Sequence, residues 1–140
     1  MHPTILKTVI TMIVFAHLAG NVWHGGAHTA LEIALPETKT VFVMLVILAA
    51  PLLGLALLWF RQQLLGYLVV ALSLLGSVLF SVYHHYVMVS IDNVDYLPQG
   101  SIADHTHFID SAEFIALSAI AGTILAFYAA GRSSKPFHHE

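Results

Sequence analysis

Four uninterrupted apolar runs dominate this chain: Thr4 to about Trp23, Val41 to Phe60, Leu64 to Val89 and about His107 to Ala130. A hydrocarbon core about 30 Å thick requires about 20 apolar residues per helix, so 140 residues accommodate no more than four such spans. In lipid only helices and closed barrels satisfy their own backbone hydrogen bonds, and the runs lack the alternation of barrel strands. The pattern predicts an all-α integral membrane protein, a bundle of four transmembrane helices forming one domain over residues 1–140.

Charge agrees with this reading. Only 9% of residues are charged and 58% are hydrophobic, whereas a soluble domain carries about 25% charge. A catalytic domain outside the bilayer is excluded. Five Lys and Arg and a net charge of −3 leave no basic patch for nucleic acid or anionic lipid. The absence of cysteine excludes disulfides, thiolate metal sites, iron–sulfur clusters and c-type haem.

Lys7 and the segment Ala16-His17-Leu18-Ala19-Gly20 loosely resemble a signal peptide. A histidine inside the run and an asparagine just after it point instead to a retained helix. Pro51, inside the second run, removes a backbone donor and predicts a kink. Lys7, Arg61, Arg132 and Lys135 fall on one side of a four-span topology and only Lys39 on the other. The positive-inside rule then puts both termini in the cytoplasm, in a plasma (inner) membrane, with the loops around 24–40 and 90–106 outside.

Histidine is the anomaly. Seven of the ten, His17, His24, His28, His84, His85, His105 and His107, fall near the outer ends of the first, third and fourth helices. At about 100° per residue, His17, Asn21, His24 and His28 occupy an arc of roughly 60°. His28 joins them only if the helix survives Gly25-Gly26. His84 lies at roughly 20° from Ser73 on the face that also carries Ser77 and Ser81. His85 can reach the same cavity or cap it. His107, Asp110 and Glu113 recur every third residue, and ionisable groups within a membrane ordinarily face the bundle interior. His2, His138 and His139 are read as solvated tail residues, and the outer loops, with Glu32, Glu37, Asp92, Asp95 and Asp104, as attractive to cations.

Neutral imidazoles and carboxylates bind zinc, copper or iron without thiolates. The expected metal ligands are His17, His24, His28, His84, His85, His107, Asp110 and Glu113, in a mono- or dinuclear site at the extracytoplasmic end, with Met44 and Met88 near enough to assist copper. The activity expected first is an oxidoreductase acting on a lipophilic substrate or quinol that enters from the bilayer. With zinc, Glu113 would serve as base for a hydrolase. Two alternatives stand beside it: a b-type cytochrome with haem between His24 and His84, and a non-enzymatic metal carrier or accessory subunit of a membrane complex. A pH-sensing cluster and plain polar packing are further readings.

The His24-x-x-x-His28 pair and the His84-His85 doublet each resemble a piece of the histidine boxes of membrane desaturases and hydroxylases. The repeated boxes of that family are missing, as is a Glu-x-x-His pair of the diiron-carboxylate type. No family assignment follows.

Overall fold

A computed structural model describes residues 3–134. Four long helices account for most of them: α1 (Pro3–Ala30), α2 (Glu37–Trp59), α3 (Gln63–Val87) and α4 (Ile102–Ser133). Each is long and apolar enough to cross a membrane, and no strand occurs among the described residues. The tail residues His2, Lys135, His138 and His139 lie outside them.

The helices alternate in direction. His24 of α1 meets Ser111 of α4 and His17 meets Ser118, so these two run antiparallel. His24 also meets His85, which makes α1 and α3 parallel. In the bundle α1 packs chiefly on α4, α4 on α3, and α3 on α2. One core runs through it, from Leu6, Ile10 and Val14 of α1 through Leu58, Tyr67, Val70 and Leu74 to the small residues Ala119, Ala126 and Ala129 of α4. Small residues let helix backbones approach where the surroundings are as apolar as the side chains. The α2–α3 crossing is the extreme case, because a Cβ at Gly66 would fall 2.5 Å from the Leu58 nitrogen and one at Gly54 would fall 2.9 Å from the Val70 nitrogen.

Helices α1 and α2 meet only toward the end remote from the histidines. There Trp59 Nε1 donates to Thr11 Oγ1 at 3.2 Å and Lys7 Nζ sits 5.8 Å from the Trp59 ring centre. At the other end they diverge. The divergence leaves a cavity between them, and the functional side chains border it.

Three local departures from a regular helix shape that end. Pro51 is preceded by a π-helical segment, Val43–Ala49, whose wider turn tolerates the missing donor. A second π-helical turn, Tyr83–Val87, closes α3, with Met88 N–H donating to the Tyr83 carbonyl at 2.8 Å. Helix α1 continues through Gly25-Gly26 and ends in a Schellman motif: Ile33 N–H donates to the His28 carbonyl and Glu32 N–H to the Thr29 carbonyl. Glu32 there has φ 55°, a conformation that ordinarily selects glycine. Helix α4 starts at Ile102, earlier than the apolar run, because Ser101 and Asp104 form a reciprocal capping box.

Replacing Gly66 with Val should lower stability by about 1–3 kcal/mol through overpacking against the α2 backbone. The readout is a lower thermal unfolding midpoint in mild detergent.

Candidate metal centre

His24, His28 and His85 form a compact, buried cluster, with 8%, 7% and 4% of their surfaces exposed. His24 Nε2 lies 3.1 Å from Nε2 of His28 and 3.1 Å from Nε2 of His85. Each ring is held from behind through Nδ1. His28 Nδ1 faces the Ile33 carbonyl at 3.3 Å, and His85 Nδ1 faces the Asp92 carbonyl at 2.7 Å. Carbonyls only accept, so both rings carry a proton on Nδ1, and in the neutral ring the lone pair is then on Nε2. His24 Nδ1 faces Ser111 Oγ at 2.8 Å, and that hydroxyl spends its proton on the His107 or Phe108 carbonyl. With its proton so placed the hydroxyl accepts from His24 Nδ1, the tautomer that leaves a lone pair on Nε2.

In that set of tautomers the Nε2 lone pairs of His28 and His85 each face that of His24, and one ring nitrogen of each residue lies within 4.8 Å of the others. Such contacts are repulsive unless a cation sits among them. Ligand nitrogens on one ion lie about 3.3 Å apart in tetrahedral and about 2.9 Å apart in cis octahedral geometry, given metal–nitrogen bonds of about 2.0–2.1 Å. The two 3.1 Å distances from His24 Nε2 fall between these values. The carbonyl and hydroxyl partners on Nδ1 are the outer-shell arrangement that orients metal-binding imidazoles.

Asp92 supplies the negative charge. Its carboxylate Oδ1 is 3.2 Å from His28 Nε2 and 3.4 Å from His85 Nδ1, the residue is 5% exposed, and Oδ1 accepts no hydrogen bond among the described residues. Its other oxygen lies 3.6 Å from Lys39 Nζ. The loop after α3 puts it there by turning back on itself: Asn93 Nδ2 donates to the Met88 carbonyl, Asp95 N–H to Asn93 Oδ1, and Val94 N–H to the His85 carbonyl. Phe108 of α4 forms the wall behind the cluster, its ring centre 4.7, 5.1 and 5.4 Å from those of His24, His28 and His85. Ala27, Leu31 and Ile33 complete a small apolar cap with it.

Of the eight ligands expected from sequence, the structure gathers His24, His28 and His85. His17 lies two helical turns below His24 and is already satisfied: Nδ1 faces Ser118 Oγ, and Nε2 faces Ser77 Oγ and Asn21 Nδ2, each at 3.2 Å. His84 yields its place to His85. The π-helical turn advances each residue by less than 100°, so His85 continues the Ser73, Ser77, Ser81 line. His84 turns aside onto Phe80 and Tyr83, with ring centres 4.4 and 5.1 Å away. His107, Asp110 and Glu113 sit on the exposed face of α4, His107 edge-on to Trp23. The inward face of that helix belongs to Phe108, Ser111, Ala112 and Ile115. Met44 is exposed, and the Met88 carbonyl accepts from Asn93 Nδ2. His105 is tied to the Pro98 carbonyl at 2.9 Å. Sequence reading treated Asp92 only as loop charge and overlooked Ser111 and Lys39. The Asp92-Asn93 turn chemistry was the one signal for Asp92, and nothing local marked the other two.

Comparison with protein-family models, with curated proteins and with solved structures finds no match. The site's own chemistry is what bears on function.

Ser111→Ala removes the acceptor that sets the His24 tautomer. Loss of such an outer-shell partner typically costs 10–100-fold in metal affinity, and competition titration with a chromophoric chelator should show a decrease in that range. Glu32→Gly relieves the positive-φ strain while keeping the Ile33 carbonyl on His28, so it should raise the thermal midpoint and leave metal affinity unchanged.

Proposed function

We propose that this is a multi-pass integral membrane metalloprotein holding one transition-metal ion on His24, His28 and His85, with Asp92 beside them. The single observation that carries the reading is the placement of His28 Nε2 and His85 Nε2 each 3.1 Å from His24 Nε2, with every ring held from behind through Nδ1. A shared proton would bridge one pair of imidazoles and leave the third lone pair unmatched. One ion engages all three.

The distribution of basic residues supports both termini in the cytoplasm and the centre near the extracytoplasmic side. Arg61 and Arg132 cluster at the end remote from the histidines, together with Lys7, while Lys39, at the histidine end, is neutralised by Asp92.

Three protein nitrogens with an open side are the pattern of a catalytic centre rather than a closed structural one. The open side here borders an apolar cavity between α1 and α2, which suits a metal-dependent enzyme acting on a lipophilic substrate, the quinol class included. With copper or iron the centre is an oxidoreductase. With zinc it is hydrolytic, and Asp92, rather than Glu113, is the adjacent base. A carrier role fits less well, because release would have to unseat ligands that are almost fully buried. Haem fits poorly: axial nitrogens on one iron stand about 4 Å apart with bonds of about 2.0 Å, and His84, the expected partner of His24, packs on Phe80 instead.

Protein purified in mild detergent without chelator should contain about one equivalent of copper, iron or zinc by inductively coupled plasma mass spectrometry, with no Soret band. His85→Ala should strip it, while His84→Ala combined with His107→Ala should retain it. Full metal content in His85→Ala, or loss in the double variant, would overturn the site.

A further inference from the structure

The cavity beside the centre has a volume of about 190 Å³. A dry cavity of about 150 Å³ is enough to admit benzene, so this one has room for a six-membered ring and one or two further non-hydrogen atoms. Its walls are apolar over most of their area, with Ile47, Leu48, Phe80 and Ile115 prominent. Val22 and Gly25, on its rim, are exposed, which directs the mouth sideways between α1 and α2 rather than out of the end of the bundle.

Two polar atoms on this wall lack a hydrogen-bond partner among the described residues: Asp92 Oδ1, which already faces His28 and His85, and Ser81 Oγ. Ser81 is 3% exposed and its hydroxyl has no hydrogen-bond partner among the described residues. A buried hydroxyl left unmatched costs about 1–3 kcal/mol, and a ligand that supplies the missing partner recovers it. Ser81 lies one turn below His85, about 6 Å along the helix. A ring bound through Ser81 therefore stands beside the three imidazoles.

We propose that the cavity is a binding site for a single-ring phenol, with Ser81 Oγ bonded to the ligand hydroxyl and Ile47 and Phe80 enclosing the ring. As an assignment of the substrate class this rests on the metal-centre reading, but the binding itself does not require the metal. A free phenol and the ring of a tailed hydroquinone share this chemistry, and the lateral mouth lets a tail leave toward lipid.

The test is ¹⁹F NMR titration of 4-fluorophenol, with fluorobenzene as the hydroxyl-free control, into detergent-solubilised protein with and without a chelator. Saturable binding of 4-fluorophenol is expected in both states. Ile47→Trp, which fills the cavity, should weaken it at least tenfold with metal content unchanged. Ser81→Ala, a change small enough to leave the fold intact, should weaken 4-fluorophenol about fivefold or more and leave fluorobenzene unaffected. Displacement by decyl-hydroquinone identifies the tailed source, and displacement by 4-methylphenol alone the free one. Non-saturable uptake equal to that of empty micelles, or equal affinity in Ser81→Ala, overturns the proposal. Absence of metal from protein that still binds 4-fluorophenol would overturn the metal-centre reading and leave the cavity site standing.

Discussion

Three imidazoles facing one another inside an apolar bundle are the constraint that the rest of the architecture holds in place. Each ring is restrained by an acceptor on its far side, and those acceptors come from different parts of the chain: the Ile33 carbonyl beyond α1, the Asp92 carbonyl beyond α3, and Ser111 on α4. For His28 and His85 the alternative tautomer would break the hydrogen bond to a carbonyl in a buried setting, where an unmatched polar group costs about 1–3 kcal/mol. The polar shell thus keeps the nitrogens available, and a bound cation turns the same convergence from repulsive to attractive.

Helices and loops divide the work. Helix α1 supplies two of the imidazoles one turn apart, helix α3 the third, and helix α4 the hydroxyl and the Phe108 wall. The loop after α3 brings the carboxylate, which balances cationic charge that would otherwise be costly to bury. Lys39 ties that carboxylate to the start of α2, so all four helices have a part in closing the site. The divergence of α1 from α2 has the opposite effect. It leaves an approach to the centre that is mostly apolar.

Much of this was legible in the residues. The four long apolar helices follow from run length alone, and the four-residue steps from His17 to Asn21 and from His24 to His28 put one polar stripe on α1. What misled the reading was the assumption of uniform helical geometry. An ideal 100° step selects His84, whereas the π-helical turn at Tyr83–Val87 selects His85. The same assumption made His107, Asp110 and Glu113 an inward set on the ground that ionisable residues avoid lipid. In the folded chain Phe108, Ser111 and Ile115 fill that side, and the charged residues face away.

Sequence by itself determined the helix count, the absence of thiolate chemistry, and the concentration of histidines at one end. Those depend on composition and on run length, which are local properties. Tertiary structure decided which imidazoles meet, that Asp92 joins them, and that a cavity opens beside them. These depend on where a π-turn falls, how a loop folds back through Asn93 and Ser90, and how far two helices diverge above Trp59. Each is set by packing between segments distant in the chain, and no spacing along a single helix encodes it.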